Sequence, residues 1–236
     1  MENQIETVKE QVYKLLESDN SGHGIEHIKR VLDLSLKIAE AENANLEIVA
    51  LVALLHDADD YKLFGLDNED KLTNTTRILN ATSIAENIKM EVMETVKTIG
   101  YSKLLKGSRP TTLEGQIVSD ADMCDVIGAN GILRVHAYTL KNERAFFDRN
   151  VWPIADMTAD KYTRKVADSS VCHIFEKILK LKNLMFTETG KKIAIKRHNM
   201  VVQFLQNLFE EENALDWLEY FEKYLQDNDL SPTNPN

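Results

Sequence analysis

The sequence is poor in the residues that make turns, with nine glycines and four prolines in 236 residues. All-β folds need frequent turns, so this shortage argues against a sandwich or barrel and favours helices joined by short loops. Cysteine is scarcer still. Cys124 and Cys172 are the only two, which argues against a disulfide framework or a cysteine zinc cluster and fits two buried reduced thiols. The longest apolar run, Ile48 to Leu55, falls well short of the roughly 20 residues that cross a bilayer. No signal peptide is visible. Met1 to Ser18 is charged and amphipathic, with Ile5, Val8, Val12, Leu15 and Leu16 at helical spacing. The expectation is a cytoplasmic protein with no membrane partner.

Positive charge is in the minority. The formal net charge is −10, which argues against a nucleic-acid polymer as partner. The balance reverses locally. Between Lys161 and His198 stand ten Lys plus Arg against three Asp plus Glu, a local +7. Such a segment is either a set of solvated helix faces or a site for an anionic small molecule.

What the chain does have is apolar residues, 43% of the total, enough to bury a substantial core. Ile28, Val31, Leu32, Ser35, Leu36 and Ala39 share one largely apolar helix face. Ile48 to Leu55 is apolar nearly all round and predicts a buried helix. Helical patterns recur over Ile84 to Ile99, Leu113 to Val126, His173 to Leu184, Ala194 to Phe209 and Ala214 to Leu225. Loops are expected at Asp19 to Gly24, Phe64 to Asn68, Gly100 to Pro110 and Asn150 to Pro153. There is no repeat and no clear linker. The pattern predicts one all-α domain over residues 1–236, with a disordered tail over 227–236.

Three features single out residues for chemistry. His56 and Asp57 follow the apolar run directly, so the end of a buried helix delivers an imidazole and a carboxylate inward. A buried carboxylate needs a cation or several donors; exposed at a helix end, Asp57 would need neither. His23 and His27 stand four apart at a helix start and share a face. The zinc-protease motif would require Glu where Gly24 stands, so that reading fails. Finally, Asp120, Asp122 and Asp125 crowd an otherwise apolar stretch, Ile117 to Ile127. Acids between apolar flanks point to a charged site facing inward, whereas on a surface turn they would be ordinary.

These pieces together resemble the HD superfamily of metal-dependent phosphohydrolases. Its signature is a histidine, then His-Asp, then a distant Asp. Here those are His27 in His27-Ile28-Lys29-Arg30-Val31, the pair His56-Asp57, and Asp122 in Asp120-Ala121-Asp122. The likeness extends through Asp125-Val126-Ile127-Gly128-Ala129-Asn130-Gly131-Ile132. It continues through His173-Ile174-Phe175-Glu176-Lys177 and Thr187-Glu188-Thr189-Gly190 to Arg197 and Phe204-Leu205. It covers roughly residues 20 to 212 and is similar to a bacterial branch that includes nucleoside triphosphate pyrophosphohydrolases.

The resemblance implies a helical core over about 20–130 and additional C-terminal helices over about 131–226. It also implies one divalent metal ion (Mn²⁺, Mg²⁺, Fe²⁺, Ni²⁺ or Zn²⁺) held by His27, His56, Asp57 and Asp122. The family's arginine three residues after its first histidine favours His27, followed by Arg30, over His23. Its Asp-x-Asp pattern favours Asp122 over Asp120. Two imidazoles and two carboxylates suit a catalytic divalent ion better than a closed structural zinc site. Such an ion lowers the pKa of a water from ~15.7 towards ~7. Asp60 matches a position where relatives carry an acid that positions water or protonates the leaving oxygen. Lys62, Lys177 and Arg197 are the cations expected on substrate phosphates, with Arg30, His173 and His23 as further candidates. The expected partner is a small phosphorylated substrate, above all a nucleotide; a homodimer stays open.

Two departures bear on substrate. Gly24 stands where many relatives have Asp, and Met123 where many have Arg. Two other readings remain: oxygen chemistry on two metals, with His23 and Asp120 as extra ligands, and a non-catalytic nucleotide-binding protein.

Overall fold

The computed structural model describes residues 2–17, 24–154 and 168–233. Among these residues the fold is all-helical, and no strand occurs. The chain forms two compact units, Met1–Asp122 and Met123–Asn236.

The first unit is organised around α3 (Leu46–Leu55). Asn45 starts this helix by accepting hydrogen bonds from Glu47 N and Ile48 N through its side chain. Every residue from Ile48 to Leu55 is buried. That is possible because α1 (Glu2–Leu16), α2 (Ile25–Glu42) and α7 (Glu86–Val96) all pack on it. Each fully buried Val, Leu or Ile contributes roughly 1.5–3 kcal/mol, so α3 is the main anchor of this unit. Helix α2 buries Ile28, Val31, Ser35, Ile38 and Ala39 and stops at Asn43 in the left-handed region (φ 56).

Two expected loops are partly helical. Phe64 to Asn68 falls within α4 (Tyr61–Phe64) and α5 (Leu66–Lys71), which are separated by Gly65 at φ 84. Gly100 to Pro110 contains α8 (Tyr101–Leu105), entered from Gly100 at φ 125. In both, a glycine at positive φ immediately precedes the short helix and marks the joint. The short helix α6 (Thr73–Asn80) follows α5, and α9 (Leu113–Asp125) runs across the boundary between the units. The expected loop at Asp19 to Gly24 lies outside the described residues except for Gly24.

The second unit holds α10 (Ala129–Lys141), which the sequence pattern did not suggest because Asn130-Gly131 looks like a turn. The expected helix over His173 to Leu184 is two elements. Helix α11 (Ser170–Glu176), capped by the Ser169 hydroxyl, breaks at Lys177 (φ −130, ψ −62) and gives way to a 3₁₀ segment, Ile178–Leu184. Helix α12 (Glu188–Glu211) begins before Ala194 because Thr187 accepts from Gly190 N and nucleates it earlier. With α13 (Leu215–Asp227), these helices enclose an aromatic core. Trp217 is fully buried, meets Phe147 edge-on at 5.0 Å, and donates its indole N–H to Arg149 O at 3.1 Å.

Of the tail expected to be disordered, residues 227–233 are described and residues 234–236 lie outside the described part. Leu230 is buried, and His198 Nε2 donates to its carbonyl at 2.7 Å. Lys182 Nζ donates to Ser231 O, and Asn199 bonds Thr233 in both directions. One buried leucine and these bonds outweigh the polar composition of the segment.

His198 makes this anchorage pH-sensitive. Burial pushes its pKa down to about 4, partly offset by the bond to Leu230. The folded state therefore holds His198 neutral, whereas the unfolded chain protonates it near pH 6.5. Its contribution is complete above pH 6.5 and is lost as pH falls towards 4. Wild type should lose about 2 kcal/mol of unfolding free energy between pH 7 and pH 5 from this group alone. Urea titrations of wild type beside His198→Gln check it; equal losses in both would exclude the effect.

Candidate metal centre

Three chain segments deliver the site. Helix α2 begins after Gly24, whose carbonyl accepts from His27 N at 3.0 Å, so His27 stands in the first turn, buried. Helix α3 ends at His56, and the chain turns through residues 56–59, so His56 and Asp57 leave the buried end of that helix side by side. Asp122 comes from α9.

The ligand atoms converge. His27 Nε2 and His56 Nε2 are 3.2 Å apart, with the rings at 68°. Asp57 Oδ2 lies 3.3 Å from His27 Nε2 and 3.6 Å from His56 Nε2. Asp122 Oδ1 lies 3.5 Å and 3.9 Å from the same two nitrogens. Among the described residues, His27, His56 and Asp57 form the one group of potential metal ligands whose donor atoms all lie within 4.8 Å of one another. The imidazoles are almost fully buried; the Asp122 side chain keeps 22% of its exposure, so the group is open on that side.

The donor set fits a divalent cation. His56 Nδ1 lies 2.8 Å from the Ala53 carbonyl, which can only accept, so that nitrogen carries the proton. In the neutral ring Nε2 then bears the lone pair, and it is Nε2 that points into the group. Two imidazole nitrogens and carboxylate oxygens in near-complete burial call for a positive charge between them, and this mixed set suits first-row divalent ions.

The other candidates are distributed differently. Asp60 is half-buried in the turn after Asp57. Arg30 is half-buried on α2, one turn beyond His27. His23 and the side chain of Lys62 lie outside the described residues. His173, Lys177 and Arg197 belong to the second unit. There Lys177 ends α11, its backbone N–H bonded to His173 O. Arg197 donates through Nη1 to Cys124 O, a carbonyl of the last turn of α9, so this guanidinium serves at least in part as a helix C-cap. Asp125, three positions beyond Asp122, is buried and paired with Arg134 at 2.6 Å. Met123 is buried, and Asp120 is fully buried on the same helix.

Two contributors carry no signal in the sequence pattern. The Ala53 carbonyl sets the His56 tautomer. Asp59, one of the acids between Asp57 and Asp60, is turned to α6 and accepts from Asn74 N and Thr75 N. Its partners lie 15 and 16 residues on, too far for any local pattern to show.

The family model for the HD domain matches residues 24–127, a span that contains all four of His27, His56, Asp57 and Asp122. A solved structure from Lactobacillus plantarum is 30% identical, covers 91% of this chain and 99% of its own, and superposes with a TM-score of 0.79. An HD-superfamily hydrolase from Bacillus thuringiensis is also 30% identical, covering 90% and 98%, with a TM-score of 0.70. Bacillus subtilis YpgQ, solved in complex with ADP, is 28% identical over 89% of this chain and 95% of its own, with a TM-score of 0.68. No helix among the described residues is long and apolar enough to cross a membrane. The chain belongs to the HD-domain superfamily.

Proposed function

We propose that this protein is a metal-dependent phosphohydrolase acting on nucleotides, with His27, His56, Asp57 and Asp122 holding one divalent ion. The observation that carries the reading is the convergence of His27 Nε2, His56 Nε2 and Asp57 Oδ2 within 4.8 Å in a nearly buried position. The ADP bound to YpgQ supports a nucleotide as the class of ligand.

When bound, the ion supplies Lewis acidity: it acidifies a water and draws charge from a phosphoryl oxygen. The chain's own residues supply the rest. His56 presents a lone pair from a ring held by Ala53 O, with His27 Nε2 beside it. Asp57 and Asp122 balance the charge of the ion. The open side at Asp122 admits water and substrate. Asp60, in the turn beyond Asp57, is the residue proposed to orient that water or to protonate the leaving oxygen. Lys62, Arg30, His23, His173, Lys177 and Arg197 are proposed for the phosphates, where cations meet charge that grows in the transition state. Mn²⁺ is the ion proposed for assay, within a cytoplasmic protein that acts on small molecules.

Product analysis on nucleoside mono-, di- and triphosphates with Mn²⁺ tests the reading. The expected result is phosphate or pyrophosphate release, favouring a polyphosphate. No release from any nucleotide would remove nucleotides as the substrate class.

A further inference from the structure

The turn that carries His56 and Asp57 is clamped from outside. Asp59 is buried, at 3% exposure, and its carboxylate binds two backbone N–H groups at the start of α6. Asn74 N donates to Oδ1 at 2.7 Å and Thr75 N to Oδ2 at 2.9 Å. The contact is reciprocal, because Asn74 Nδ2 donates to Ala58 O at 2.9 Å. Helix α6 has no side-chain cap from its own flank: Leu72 precedes it, in the left-handed region at φ 48. Its first N–H groups therefore depend on Asp59. A carboxylate across two such groups, at the positive end of a helix, makes charge-assisted bonds of the strong kind.

The other end of the same turn is tied by His56 Nδ1 to Ala53 O at 2.8 Å. His56 and Asp57 thus lie between two clamps. One is the end of α3, and the other is the Asp59–Asn74 pair. Only one residue, Ala58, separates Asp59 from Asp57, and both bonds to α6 engage the carboxylate whose backbone continues that turn. Slack at Asp59 is therefore transmitted to the position of the Asp57 carboxylate.

We infer that Asp59 is a positioning residue, which fixes the His56–Asp57 turn against α6 so that both ligands are preorganised for the ion. This rests on the reading of the cluster as a metal centre. Asp59 makes no contact with the ion; its contribution is expressed as affinity, because ligands that must be ordered on binding hold the ion less tightly. Outer hydrogen bonds of this kind are typically worth about 10- to 100-fold in metal affinity.

The test compares metal-stripped wild type, Asp59→Ala, Asp59→Asn and Thr187→Ala. Thr187→Ala removes a helix cap in the other unit, the bond from Gly190 N at 2.9 Å, and so reports what a lost cap does to stability alone. Each protein is titrated with Mn²⁺ by calorimetry, its Co²⁺ absorption spectrum is recorded, and its Tm is measured. Thr187→Ala should lose Tm and keep the wild-type Mn²⁺ affinity and Co²⁺ spectrum. Asp59→Ala should bind Mn²⁺ about tenfold more weakly or worse, with an altered Co²⁺ spectrum. Asp59→Asn, which keeps one acceptor oxygen, should fall between. Where Asp59→Ala does not accumulate as folded protein, Asp59→Asn, which keeps the side-chain volume and one acceptor oxygen but loses the charge on the two N–H groups, decides on the same readouts. Wild-type affinity and spectrum in a destabilised Asp59→Ala would overturn the inference. Equal Mn²⁺ binding by wild type and Asp57→Ala, or none by either, would instead overturn the metal reading beneath it.

Discussion

Asp57→Ala protein is expected to lose measurable Mn²⁺ binding and at least about a hundredfold of its nucleotide turnover while remaining folded. Asp57 Oδ2 stands 3.3 Å and 3.6 Å from the two Nε2 atoms and is buried with them. Removing it takes away one donor and one of the two negative charges that balance a divalent ion. The neutral imidazoles cannot replace that charge. Asp57→Asn separates the two losses, since it keeps the volume and one oxygen. It should bind Mn²⁺ more weakly than wild type and better than alanine. Calorimetric Mn²⁺ titration beside turnover checks both variants. Full turnover in a metal-loaded Asp57→Ala protein would remove Asp57 from the site.

Gly131→Ala should destabilise the second unit by about 2–3 kcal/mol, because nothing near the new methyl group can move aside cheaply. Within a helix this exchange ordinarily stabilises by up to about 1 kcal/mol. Gly131 lies in α10, where an added Cβ would fall 2.1 Å from Val126 O and 2.4 Å from its carbonyl carbon. Both are backbone atoms, fixed by the connection from α9, so the chain itself must shift. Thermal unfolding should show Tm lower by about 5–10 °C. An unchanged or raised Tm would mean that the Val126–Gly131 approach relaxes freely.

The legible parts of the fold are those where the pattern is local. Ile48 to Leu55 predicts a buried helix because it is apolar on every side, and α3 is the element on which α1, α2 and α7 pack. Helix α10 escapes the same reasoning. Its Asn130-Gly131 pair resembles a turn, whereas Gly131 is there because the backbone of Val126 occupies the space of a side chain. The break between α11 and the 3₁₀ segment also leaves no mark on the apolar spacing of His173 to Leu184. The contacts of residues 229–233 are tertiary as well, since the partner of Leu230 O is His198, 32 positions away.

The site divides in the same way. His27, His56 and Asp57 stand out by residue type, by the apolar run before His56, and by their resemblance to the family motif. The direction of each acid does not. Asp57, Asp59 and Asp60 look alike in sequence, yet Asp57 faces the imidazoles and Asp59 binds α6. Asp122 and Asp125 lie three apart, and Asp125 is taken by Arg134. Which acid meets which partner depends on helices brought together from elsewhere in the chain, and local spacing does not encode it.

The central claim is that one divalent ion at this cluster makes the protein a phosphohydrolase. Stoichiometric reactivation tests it most directly: metal-stripped protein is titrated with Mn²⁺ while phosphate or pyrophosphate release from a nucleoside triphosphate is followed. The account predicts no release from stripped wild type, a rise that saturates at one ion per chain, and no rise for Asp57→Ala. Release from stripped protein that added Mn²⁺ leaves unchanged would contradict it.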